Sequence, residues 1–219
     1  MPNSNVRCPS GLDVLIERFD SIFRVDIESS NATNYLEDYP RAPERKRWIS
    51  ESEKCNVVAL MRVNHAGEVS AQGLYLGQAL FARDHTTFAF MKEAASEERR
   101  HLVWCSRRLE ELSGSISLFT QFWFFGSFFM GALISLVGDQ KNLGFVEETE
   151  KQVSRHLEAH LSRTPLDDHR TRQILQQMRE DELEHGSRAQ SLGALEPPYF
   201  VKQMMGAAAL VMKEVASKL

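Results

Sequence analysis

Residues 98–101 read Glu98-Arg99-Arg100-His101, and residues 182–185 read Glu182-Leu183-Glu184-His185. On a helix, positions i and i+3 share a face, so each pair sets a carboxylate beside an imidazole. Seven histidines in a Glu-rich chain yield such a pair by chance, so the pairs alone decide little. What precedes them decides more. Glu68 stands 30 residues before Glu98, and Glu150 stands 32 residues before Glu182. Two successive helical hairpins of nearly equal span thus each read Glu … Glu-x-x-His, an internal repeat of ligand-type side chains. A four-helix bundle holding two metal ions needs this set: one Glu from each of two helices, and Glu-x-x-His from each of the other two.

The flanking residues put these groups indoors. Glu150 lies between Val146 and Val153, with Leu157 two turns on. Glu98 has Ala94, Ala95, Leu102 and Cys105 on its face, Glu182 has Leu175, Met178 and Ala189, and Glu68 has Met61, Ala71 and Tyr75. Buried without compensation, four carboxylates are very costly, and two divalent cations offset that cost. Carboxylate-rich ligation with one nitrogen per metal suits iron or manganese better than structural zinc. The candidate ligands are Glu68, Glu98, His101, Glu150, Glu182 and His185. Glu147 and Glu148 compete with Glu150, but their neighbours are more polar and they read as solvated. His156 and His160 have the i, i+4 spacing of a zinc pair without a third ligand. His65 shares the face of Glu68 and reads as an outer donor or as an ordinary histidine. His85 and His169 read as surface, and Trp104 as packing.

Working outward, the helical pattern runs over about 51–82, 86–112, 141–162 and 166–191, with Thr164-Pro165 as cap and first position of the last of these. Gly67, Gly73 and Gly77 weaken the first helix and suggest that another backbone comes close there. Residues 112–138 carry no charge, and within them 116–137 is apolar enough to be a membrane-span candidate, with Gly126 and Gly131 as places to bend. Residues 199–219 are amphipathic. Ser10 reads as the cap of a short helix with Leu12, Leu15, Phe19 and Phe23 along one stripe, and 24–50 as an irregular strap. No strand pattern is visible. The fold class is all-α: a four-helix bundle (51–219) with apolar and amphipathic additions, preceded by an extension (1–50).

The chain has 219 residues, 42% hydrophobic and 26% charged, with a net charge of −4. That excludes a global nucleic-acid footprint and wholesale disorder. Three cysteines without a CxxC pair, and an N-terminus without an apolar leader core, point to a reducing cytosol.

Arg62-Val63-Asn64-His65-Ala66-Gly67-Glu68, then Glu98-x-x-His101, Glu150 followed by His156, and Glu182-x-x-His185 resemble the di-iron demethoxyubiquinone hydroxylases of ubiquinone biosynthesis. The resemblance covers roughly residues 50–219. It implies a ferritin-like bundle and two iron ions bridged by Glu98 and Glu182. It also implies an O2-dependent hydroxylation of the ring of a polyprenyl demethoxyubiquinol. Many relatives carry Tyr after the position of His156; here Leu157 stands there, so a tyrosine redox role has no support. The partners implied are the quinol, O2, a membrane surface, a further copy of the chain and accessory proteins of the same biosynthesis; nucleic acid is not among them. The place implied is the cytoplasmic face of the bacterial inner membrane. The apolar 116–137 segment and the 199–219 helix would rest on the bilayer rather than cross it, because one crossing would separate the two half-sites. Two other classes share such a site. An iron store wants polar outer helices, which the 27 uncharged residues 112–138 contradict. A di-iron oxygenase acting on RNA wants a basic face.

Overall fold

The computed structural model describes residues 16–21, 35–43, 48 and 50–219. Its long helices are α1 (Glu51–Leu80), α2 (His85–Glu111), α3 (Thr120–Ser135), α4 (Asp139–Arg163), α5 (His169–Ser191) and α6 (Tyr199–Lys218). No strand occurs among the described residues. Of the N-terminal stripe only Phe19 falls among them, and it is half exposed; Ser10, Leu12, Leu15 and Phe23 lie outside.

Local chemistry sets the ends. Ser50 accepts a hydrogen bond from the Glu53 amide at 3.1 Å and opens α1, a Ser-x-x-Glu start. Gly138 takes φ 108° before α4, and Gly193 φ 94° after α5, conformations that cost glycine little. The expected Thr164-Pro165 start of α5 is wrong: Thr164 closes α4, and Asp168 caps α5 by accepting from the Thr171 amide at 3.2 Å. Asp168 also pairs at 2.9 Å with the buried Arg108 of α2, which donates to Thr171 Oγ1 and Glu111 as well. A cap with a second, tertiary bond outcompetes one with none.

The α1–α2 and α4–α5 hairpins make the four-helix bundle. Asn64 meets His160, Tyr75 meets Glu150 and Gln78 meets Asn142, so α1 and α4 run antiparallel. The apolar core has two main clusters, with a smaller one of Val63, Ala66 and Ala216 where α6 meets α1. One cluster joins Tyr75, Phe90, Met91, Leu143 and Val146; the other joins Met61, Trp104, Leu109, Leu157, Leu175 and Met178. Between these plugs, on every helix of the bundle, sits a layer of acid and histidine.

α3 lies along α1. A methyl group at Gly73 would stand 2.3 Å from the Phe124 carbonyl oxygen, and one at Gly77 2.0 Å from that of Phe128. Gly131 of α3 returns the approach, toward Leu74. Backbones therefore meet at Gly73 and Gly77 as expected. They do not at Gly67, where such a group would meet nothing within 4 Å. Nor do Gly126 and Gly131 break the apolar segment: α3 runs through both. No helix among the described residues is long and apolar enough to cross a membrane. α6 lies over the groove beside α3. The Leu118 amide donates to the carbonyl of Leu219 at 2.9 Å, tying the end of α6 to the turn before α3.

Candidate metal centre

The structure brings together all six residues that the spacing singled out. Glu68 comes from α1, Glu98 and His101 from α2, Glu150 from α4, and Glu182 and His185 from α5; all are buried. They form two four-membered groups, Glu68–Glu98–His101–Glu182 and Glu98–Glu150–Glu182–His185, each with one donor atom per residue within 4.8 Å of the others. Glu98 and Glu182 belong to both.

The oxygens divide in the same way. His101 Nδ1 lies 3.4 Å from Glu98 Oε2 and 3.6 Å from Glu182 Oε1. His185 Nδ1 lies 3.3 Å from Glu98 Oε1 and 3.4 Å from Glu182 Oε2. Each shared carboxylate thus gives one oxygen to either imidazole. The contacts are long for hydrogen bonds. They match the edge of a coordination shell, since two ligands about 2.1 Å from one ion stand roughly 3–3.5 Å apart.

The outer ring nitrogens are fixed by acids the sequence reading passed over. His101 Nε2 meets Asp181 Oδ2 at 2.9 Å, and His185 Nε2 meets Glu97. A proton held on Nε2 leaves the Nδ1 lone pair facing inward, the tautomer a metal ligand needs. The two bonds cross: Asp181 precedes Glu182 on α5 but serves His101 of α2, while Glu97 precedes Glu98 on α2 but serves His185 of α5. The signal was the acid just before each Glu-x-x-His. Asp181 is steadied in turn by Arg100 at 3.0 Å and Gln177 at 2.9 Å. The Tyr75 hydroxyl donates to Glu150 Oε1.

Several buried polar atoms have no hydrogen-bond partner, and six are here: both oxygens of Glu98, Glu150 Oε2, Glu182 Oε2, and Nδ1 of His101 and of His185. Burial drives the carboxyls of Glu68 and Glu150 well above their usual range, with neighbouring acids adding to the rise. Burial also raises Glu98 and Glu182, but the close approach of the two histidines to both, and of Glu150 to Glu182, outweighs it and holds both low. Burial lowers His101 and His185, yet the surrounding acids push both up. Protein groups alone thus leave the layer short of positive charge. Four carboxylates and two neutral imidazoles, with donors unmatched at the centre and no sulfur, fit two divalent ions of the iron or manganese kind.

The other candidates separate from this layer. Glu147 and Glu148 were expected to be solvated and are buried instead; Lys151 holds Glu147 at 2.6 Å, and Gln152 and Lys202 hold Glu148. Long amphipathic cations and an amide from α4 and α6 cover them, which the polarity of their neighbours did not reveal. His156 and His160 meet edge to face, with centroids 3.8 Å apart and ring planes at 61°, and His160 Nδ1 meets Asn64 Oδ1 at 2.8 Å; among the described residues no acid joins them. His65 is buried with its Nδ1 unpaired, and burial lowers its pKa to about 4. His85 and His169 are exposed. The Trp104 ring packs 5.7 Å from that of His101.

A largely apolar cavity of about 680 Å³ reaches Glu68. Its walls come from α1, α3, α4 and α6, among them Trp123, Phe145, Leu157, Met205 and Met212. Around its mouth α3 and α6 expose Phe125, Phe129, Leu133, Tyr199, Met204 and Leu210.

Known proteins agree with this architecture. Among solved structures, a dodecameric thioferritin, the bacterioferritin-related protein of Bacteroides fragilis, superposes with a TM-score of 0.53 at 20% identity, over 62% of this chain and 82% of that one; the likeness is one of fold. Among curated proteins, a 3-demethoxyubiquinol 3-hydroxylase of Bordetella pertussis is 45% identical over 206 residues, 94% of this chain and 91% of its own length. One of the same name from Chromobacterium violaceum is 50% identical over 164 residues, 75% of this chain and 80% of its own. The family model described as ubiquinone biosynthesis protein COQ7 matches residues 56–216. With its helical bundle, its doubled Glu and Glu-x-x-His layer and this match over most of its length, the chain belongs to the COQ7 family of ubiquinone biosynthesis proteins.

Proposed function

We propose that this protein is an O2-dependent hydroxylase that adds one oxygen atom to the ring of a polyprenyl demethoxyubiquinol. Residues 51–219 form its catalytic domain, and residues 1–50 an appendage. Glu68 and His101 would hold one iron, Glu150 and His185 the other, and Glu98 and Glu182 would bridge them. The observation that carries this reading is the pair of interlocking groups sharing Glu98 and Glu182, set at the end of an apolar cavity. The relatives named for this reaction support it.

The reaction exchanges a ring C–H for C–OH. One atom of O2 enters the ring and the other leaves as water, with two electrons from an external reductant and two protons. The bound ferrous ions would supply reducing equivalents to O2. The protein does the rest: Asp181 and Glu97 keep the imidazole protons on Nε2, and Tyr75 keeps a proton at Glu150 Oε1. The apolar walls keep water from the ring, and Glu68 is the ligand that faces the cavity. The apolar rim of α3 and α6 would lie in one leaflet on the cytoplasmic face of the inner membrane, so that a long-tailed quinol enters sideways.

Two measurements test this. Anaerobic reconstitution with ferrous salt should give close to two irons per chain. Quinones extracted from cells lacking the protein should contain accumulated demethoxyubiquinone. Negligible iron, or an unchanged quinone pool, would overturn the proposal.

A further inference from the structure

Glycine inside a helix carries a conformational cost, so each one in this chain calls for a reason. Three reasons are visible. Gly138 and Gly193 have positive φ. Gly73, Gly77, Gly131 and Gly144 have a neighbouring backbone within 2.3 Å of where a Cβ would stand. A Cβ at Gly114 would stand 2.7 Å from Val58, whereas one at Gly186 or Gly206 would make only ordinary contacts, 3.4 Å from Glu150 and 3.8 Å from Gln152. Among the described glycines, only Gly67 and Gly126 have neither a positive φ nor any atom within 4 Å of the missing Cβ, and both line the cavity that reaches Glu68. Gly67 lies in the interior of the 30-residue α1, next to Glu68 itself.

We infer that Gly67 sets how near the quinol ring can come to Glu68: the side chain it lacks is the floor of the ring's place in the cavity. This inference rests on the proposed quinol reaction. Gly126, on the α3 wall, extends the same clearance along the cavity. A side chain at position 67 would project into the volume beside the carboxylate, where no protein atom stands. The helix would gain from it and the substrate would lose. A glycine kept for packing behaves in the opposite way, because any larger residue then costs stability.

The test uses the iron-loaded full chain as wild type, Gly67→Ala and Gly67→Leu. Four quantities are read: iron per chain, melting temperature, KM for a short-tailed demethoxyubiquinol, and Kd for the oxidised quinone from quenching of tryptophan fluorescence, Trp123 being in the cavity wall. Gly67→Ala should keep its iron, melt about 2 °C higher, and raise KM and Kd about tenfold. Gly67→Leu should keep its iron and raise both roughly a hundredfold. Unchanged KM and Kd in Gly67→Leu would overturn the inference. So would a lower melting temperature or lost iron in Gly67→Ala, which would make position 67 a packing site. A wild type that binds the quinone without hydroxylating it would defeat the proposed function alone, and the Kd series would still decide the role of Gly67.

Discussion

Each imidazole of the acid layer has an outer nitrogen tied to an acid and an inner nitrogen tied to nothing, and that division makes the site chemical rather than merely polar. The inner set was legible because ligand spacing and apolar flanks agree at Glu68, Glu98, Glu150 and Glu182. The outer set was not. Asp181 and Glu97 stand one position before a ligand, about 100° around the helix, and their targets lie on another helix. Glu150 and Glu147 give a sharp comparison. Glu150→Ala should lose metal and abolish hydroxylation, whereas Glu147→Ala, which loses only the pair with Lys151, should keep two metals. Metal analysis of both variants checks this. The paired histidines His156 and His160 make a second prediction. Burial lowers His156 to about 2, with the nearby His160 and the cations Lys213 and Arg163 adding to it, and lowers His160 to about 3. The unfolded chain then binds more protons than the folded one below about pH 6.5, so stability is present above that pH and lost as pH falls. Between pH 6.5 and 5.5 the wild type should lose about 1 kcal/mol more than His156→Gln, measured by denaturant unfolding at each pH.

At the level of the element, hydropathy recognised α3 as the apolar segment but misjudged its extent and shape. Residues 116–119 belong to the turn that Leu219 fastens, and of the two glycines expected to bend the helix Gly131 serves its seat on α1 while Gly126 lines the cavity. Periodicity sees a helix's own faces, not the partner that fills a missing side chain. Gly77→Ala should therefore cost about 1–3 kcal/mol, because the obstacle is backbone and cannot rotate away; thermal unfolding reads it. α3 also offers the apolar rim that we propose lies in the bilayer. Phe129 and Leu133 are exposed one helical turn apart and lie outside the cavity wall. Phe129→Glu with Leu133→Glu should lower co-sedimentation with anionic vesicles at least tenfold while two irons remain bound. Unchanged sedimentation would remove α3 from the proposed membrane face.

In the whole molecule, two hairpins close around one polar layer with an apolar plug at either end. Neither hairpin owns a complete half of that layer. Each group takes a shared carboxylate from both α2 and α5, and each histidine leans on an acid from the opposite hairpin. Loading on the proposed ligands would therefore be a collective event. An ion held in one group would fix Glu98 and Glu182, which the other group shares, and so would favour capture of the second. Half-filled molecules should be scarce: with one equivalent of ferrous iron added anaerobically, native mass spectrometry should find mainly chains carrying none or two, and a dominant one-iron species would show that the halves fill independently. The crossed acids would thus make the protein count its metals in pairs.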